Sequence, residues 1–147
     1  MNKKEEAVAL FNQGFSCSQA VLSVFASEFN LDKTAALRVA GGFGGGMGNL
    51  GETCGAVTGA FMVIGLKHGR TNIDDRIAKG KTYGFVRDFA QIYSAKRGSI
   101  KCKELLGCDL NTPEGMSYAR ENNLFKTLCP GLVEMAVEVL EEILQEE

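Results

Sequence analysis

Five cysteines, Cys17, Cys54, Cys102, Cys108 and Cys129, are the residues best equipped for chemistry in this sequence. A thiolate can attack a disulfide, ligate a metal or hold a cluster that carries electrons; the protonated thiol does these poorly. No Cys-x-x-Cys pair occurs, so the thioredoxin spacing and the paired knuckles of structural zinc are both missing. His68 is the only histidine, which argues against a histidine-based triad or a hydrolytic zinc site. It reads as a cation at a helix end. An odd count of thiols also fits poorly with a purely structural disulfide set.

The placement of the thiols is regular. Cys17 follows Ser16 and Cys54 follows Thr53, both good helix caps; Cys102 falls in the first turn after Ser99; Cys129 precedes Pro130. All but Cys108 therefore sit at expected helix N-termini, where the positive end of the dipole favours a thiolate. The dipole contributes about 0.3–1 kcal/mol at an exposed site. One pKa unit is about 1.36 kcal/mol, so the dipole alone moves a thiol by less than about one unit. Further help would come from Lys96, Arg97, Lys101 and Lys103 near Cys102, from Lys126 near Cys129, or from a bound metal. The plainer reading is that a buried cysteine packs as a small hydrophobe. That reading suits Cys108, which follows Gly107 at a helix stop. To meet Cys102, roughly 9 Å away along a helix and on a different face, the chain would have to turn at Gly107.

The elements that must position these thiols read as helices. Apolar residues recur at helical spacing over 3–11, 16–29, 33–40, 54–68, 73–96, 100–106, after Thr112-Pro113, and after Cys129-Pro130. The 54–68 segment is apolar nearly all round, as a buried central helix would be. In the 73–96 segment, Ile77, Phe85, Phe89, Ile92 and Tyr93 are expected inward, and Gly80 and Gly84 are expected to bend the helix or seat a neighbour. No strand alternation, repeat or long linker is present. The expected class is all-α: one compact domain over 1–147, a bundle of about six to eight helices without a β-sheet.

Before Cys54 runs the stretch GGFGGGMGNLGET, from Gly41. A phosphate cradle is one reading, but the Lys-Ser/Thr ending of a P-loop is missing and no strand precedes it. Close packing with unusual backbone angles is the second reading. A mobile lid over Cys54 is the third. After Cys54, Gly55 and Gly59 lie on one helix face, widened by Ala56 and Ala60, and would let another backbone bring its cysteine close.

Composition excludes several classes. The formal charge is −2, with pI about 5.5, so the basic footprint of nucleic-acid binding is missing. The longest apolar-leaning run, Thr53 to Leu66, is shorter than the roughly 20 residues of a bilayer span. The N-terminus lacks the apolar core of a signal peptide, and a cytoplasmic protein with reduced thiols is expected. Glu52 and Arg70 flank the central helix. Glu134, Glu138, Glu141 and Glu142 form an acidic face on the last helix, whose tip at Glu146 and Glu147 is expected to fray.

Several segments together resemble one family. GFSCSQAVL (Gly14 to Leu22), GGFGGGMGNLGETCGAVTGAFMVIGLKHGR (Gly41 to Arg70), CKELLGCDLNTPEG (Cys102 to Gly115) and CPGLV (Cys129 to Val133) are similar to the C_GCAxxG_C_C family of small redox-active proteins. The family label writes the first two letters of the central motif in the other order; here Cys54 precedes Gly55. The resemblance implies a helical fold and a redox site at Cys17, Cys54, Cys102 and Cys129, with Gly55, Ala56 and Gly59 from the motif. Similar segments occur in a cytochrome whose extra domain is thought to hold an iron–sulfur cluster.

Four functions compete. Four thiolates without a nearby histidine suit an iron–sulfur cluster used in electron transfer or redox sensing. A cycling cysteine pair would perform thiol–disulfide exchange, with Cα atoms about 4.4–6.8 Å apart, and four cysteines allow three pairings. A structural zinc held by the four cysteines ranks third, and a helical interaction module whose cysteines merely pack ranks fourth. The redox partner is open, and a homodimer is compatible with the sequence.

Overall fold

Helix starts follow from local side-chain chemistry. In the computed structural model, which describes residues 1–145, Asn2 and Glu5 close a capping box at α1 (Lys3–Gln13). Ser16 and Gln19 do the same at α2 (Cys17–Ala26). Asp32 caps α3 (Lys33–Val39), accepting from the Ala35 N–H at 3.1 Å. The Thr112-Pro113 start opens α7 (Pro113–Glu121), with the Gly115 N–H donating to the Thr112 hydroxyl at 3.0 Å. The remaining helices are α4 (Gly55–His68), α5 (Arg76–Arg97), α6 (Cys102–Leu106), the single turn α8 (Leu124–Thr127) and α9 (Cys129–Gln145). With α8 set aside there are eight among the described residues, at the top of the expected number, and the all-α class holds. The expected fraying at Glu146 and Glu147 lies outside the described residues.

The central helix is α4, as its apolar surface dictates. It packs against α2, α5 and α9, and Ala56, Val57, Ala60, Val63 and Ile64 are fully buried. Phe25, Phe89, Tyr93 and Leu140 complete the main core around it. A smaller cluster joins Cys102, Leu106, Leu110, Ala119, Cys129 and Leu132. Among the described residues, no helix is long and apolar enough to cross a membrane.

Two helix starts differ from the sequence reading. Cys54 itself, not Thr53, is the residue before α4, because Thr53 is held in an isolated antiparallel bridge with Lys101. That bridge also moves the start of α6 past Ser99, so Lys101 is its N-cap. The inward expectation for α5 also fails in part. Phe89 and Tyr93 are buried, but Ile77 is 85 % exposed, because α5 begins beyond the reach of its packing partners. A Cβ on Gly80 or Gly84 would meet no atom within 4 Å, so neither glycine seats a neighbour.

Candidate redox-active thiol site

Cys17, Cys54, Cys102 and Cys129 line one cavity of about 650 Å³. Cys17, Cys102 and Cys129 are the first residues of α2, α6 and α9, and Cys54 directly precedes α4. Several local devices gather them from distant parts of the chain.

The small-residue strip on α4 supplies the first. A Cβ on Gly55 would lie 3.2 Å from the Ser18 nitrogen, and one on Gly59 would lie 2.9 Å from the Ser18 carbonyl oxygen. With Ala56 between them fully buried, the first turns of α2 and α4 touch, and Cys17 is brought beside Cys54. The second device is the short antiparallel pairing. The Cys54 N–H donates to the Ile100 carbonyl at 2.7 Å, and the Cys102 N–H donates to the Glu52 carbonyl at 2.6 Å. These bonds fix Cys102 relative to Cys54. At α9, the Tyr93 hydroxyl donates to the Leu132 carbonyl at 3.0 Å and the Arg97 guanidinium to the Gly131 carbonyl at 2.9 Å. Both grip the first turn of the helix that begins with Cys129.

The glycine stretch supplies the fourth device. Gly45, Gly46, Met47, Gly48 and Asn49 are all left-handed, with φ between 59° and 73°. Only glycine adopts that region freely, and each other residue there costs roughly 1–2 kcal/mol. The turn is closed by its own bonds, among them Gly51 N–H to the Gly45 carbonyl and Glu52 N–H to the Gly46 carbonyl, both at 3.1 Å. Gly46 is buried, and a Cβ on it would come within 2.8 Å of the Cys102 Cβ. The close-packing reading of this stretch therefore describes it. The loop forms one wall of the cavity through Gly41, Gly42, Gly44, Gly45, Gly48 and Asn49.

The four thiols are electrostatically unequal. Cys17 is lowered from its ordinary range, first by the Cys54 S–H donating to its sulfur, then by N–H groups of Cys17 itself, Gly45 and Ala56, against the opposing effect of burial. Cys54 is raised well above its ordinary range by giving that hydrogen bond, by burial and by the negative charge on Cys17. Burial also pushes Cys102 and Cys129 up to about 12, with the neighbouring thiols adding to it. The lysine help expected at Cys102 is not realised. Lys103 faces Glu52 at 3.8 Å, and Arg97 turns to α9. For these two thiols desolvation outweighs the helix end.

Cys108 is half-buried, packs in the small cluster and lies outside the cavity lining. Gly107, left-handed at φ 71°, does turn the chain. His68 is stacked on Phe85 at 4.6 Å and also lies outside the lining. Arg70 donates to the Ile73 carbonyl, and the acidic face of α9 pairs Glu138 with Lys4 at 2.8 Å. The sequence reading placed Tyr93 inward and Arg97 near Cys102 but missed their bonds to the first turn of α9, and it missed the aromatic wall of Phe11, Phe15 and Phe125. Helical spacing placed Tyr93 inward but could not show what its hydroxyl would reach.

Among the described residues, no three His, Cys, Asp or Glu side chains are placed to hold a metal ion. A zinc ion bound by four thiolates at about 2.3 Å per Zn–S bond needs its sulfurs only about 3.8 Å apart. The four cysteines share the cavity lining without that spacing.

Comparison with curated proteins and with solved structures yields no match. A family model described as "Putative redox-active protein (C_GCAxxG_C_C)" matches residues 15–143, a span that holds every cysteine and every device that gathers them. By that match, over most of its length and with the four cysteines on one cavity, the chain belongs to the C_GCAxxG_C_C family of redox-active proteins.

Proposed function

We propose that the protein is a dithiol redox protein in which Cys17 and Cys54 interconvert between two thiols and one disulfide. The observation that carries this reading is the placement of Cys17 and Cys54 side by side on one cavity wall, where the first turns of α2 and α4 meet at Ser18, Gly55 and Gly59. Cys17 is the attacking group, because its thiolate form is favoured by the Cys54 S–H and by backbone N–H groups. Its sulfur attacks one sulfur of a substrate disulfide, displaces the other as a thiolate, and forms a mixed disulfide. Cys54, deprotonated as the charge on Cys17 disappears into that bond, attacks the Cys17 sulfur and displaces the second substrate thiolate. Two substrate thiols leave, the two protons come from the cysteines, and one Cys17–Cys54 bond remains. Cys102 and Cys129, held protonated by burial, take no part in the exchange.

The test is to oxidise reduced, chelator-treated protein with a small disulfide and map the product by peptide mass. A Cys17–Cys54 bond is expected, and Cys54→Ser should stop the reaction at a mixed disulfide on Cys17. A bond between any other pair, or equal trapping on Cys102, would defeat the assignment.

A second reading is favoured by the convergence of all four thiols on one cavity. Here Cys17, Cys54, Cys102 and Cys129 hold an iron–sulfur cluster, which supplies one-electron transfer when bound. The N–H groups of Gly45 and Ala56 would hydrogen-bond the ligating sulfur of Cys17 and stabilise its negative charge. Protein purified without oxygen distinguishes the readings. Iron and sulfide in matching amounts, lost on replacing any of the four cysteines, would favour the cluster.

A further inference from the structure

Cys17 and Cys54 occupy one wall of a cavity much larger than two sulfurs require. At about 650 Å³ it falls within the ~300–1,000 Å³ range of small-molecule sites. The sulfur and glycine wall faces Phe11, Phe15, Phe125, Leu106 and Leu110. Among the described residues, Lys126 is the only charged one in the lining, and it forms no ion pair. The polar rim near it includes Asn12 and Asn49. Cys17 is therefore reached from within a pocket walled by α1, α2, the glycine loop, α6, α8 and α9, not from a flat surface.

We propose that this cavity is a substrate site for a small anionic disulfide, one bearing a carboxylate that Lys126 receives while its apolar part lies against Phe11 and Phe125. The proposal rests on the dithiol reading for its chemistry and on the cavity for its ligand class. The pocket's concavity favours a small molecule over a disulfide on the surface of a folded protein. The charge favours an anion. The redox balance is that of the dithiol cycle: one disulfide is reduced to two small thiols as Cys17 and Cys54 are oxidised to a disulfide.

The experiment compares three small disulfides of opposite or no charge: 3,3′-dithiodipropionate, bis(2-hydroxyethyl) disulfide and cystamine. Each oxidises the reduced, chelator-treated protein at low ionic strength, with intact mass as the readout. The expected result is saturable oxidation by the dianion, about tenfold faster than by cystamine at equal low concentration, a difference of about 1.4 kcal/mol that attraction of the one and repulsion of the other by Lys126 supply together. Lys126→Glu should reverse that order. Rates indifferent to charge in both proteins would overturn the substrate proposal and leave the dithiol reading standing. Faster oxidation by a protein disulfide than by any small one would also overturn it. Binding of 3,3′-dithiodipropionate to Cys17→Ser is measured separately by calorimetry. If binding there depends on Lys126 while the wild-type protein is never oxidised, the ligand class survives and the dithiol reading fails.

Discussion

Removing Cys102 and Cys129 together should flatten the loss of stability at alkaline pH. Both thiols are pushed from an ordinary 9.0 up to about 12, first by burial. A thiol with a raised folded-state pKa keeps its proton where the unfolded chain loses it. The folded state then binds more protons than the unfolded state, so stability is full below pH 9 and falls as pH rises towards 12. Between pH 8 and pH 10, an unfolded thiol titrating near 9 gains a factor of ten in its partition function while the folded one hardly changes. That is about 1.4 kcal/mol for each thiol and about 2.7 kcal/mol for both. The assay is urea unfolding at pH 8 and pH 10, with reductant and chelator, of wild type and of Cys102→Ala/Cys129→Ala. Ionisations away from the site are common to the two proteins and cancel in the difference. The double variant should be less stable at pH 8 but should lose about 2.7 kcal/mol less on going to pH 10. Equal losses in the two proteins would show that these thiols ionise as freely folded as unfolded, and the argument from burial would be wrong.

Other outcomes follow from the same geometry. Gly46→Ala should cost roughly 2–5 kcal/mol in chemical denaturation, combining a left-handed backbone with overpacking against Glu52 and Cys102. Gly55→Leu should separate the first turns of α2 and α4 and prevent the Cys17–Cys54 bond, as read by peptide mapping after oxidation. Tyr93→Phe leaves the Leu132 carbonyl without its side-chain donor and should lower stability by about 1 kcal/mol in urea unfolding, with α9 otherwise helical by amide exchange. Cys108→Ser should leave the product of oxidation unchanged, since Cys108 is outside the cavity.

What was legible in the sequence was local. Ser16, Asp32 and Thr112-Pro113 start helices through contacts within three residues, so their types and spacing were enough. The Gly55–Gly59 strip announced a close approach, although not that Ser18 would fill it. The pairing of residues 51–54 with 100–103 was not legible, because a single bridge leaves no alternating pattern. The displaced starts of α4 and α6 are consequences of that one tertiary contact. The left-handed turn was legible only as a glycine excess, since Met47 and Asn49 share its conformation without being glycine. Ile77 sits at the right helical spacing to face inward but has nothing to face, and spacing carries no information about where a partner helix ends. The thiol electrostatics inverted for a similar reason. The lysines around Cys102 are neighbours in sequence, whereas burial, set by the whole fold, decides its ionisation.

The most direct test of the paired-thiol account is an equilibrium redox titration of chelator-treated protein against a small dithiol/disulfide couple, read by intact mass and peptide mapping. One two-electron transition is predicted, with a slope of about 30 mV per tenfold change in couple ratio, and with all of the lost hydrogen mapping to Cys17 and Cys54. Cys17→Ser should abolish the transition, while Cys102→Ser and Cys129→Ser retain it. A titration in which no cysteine changes state, or in which the bond forms through Cys102 or Cys129, would contradict the account.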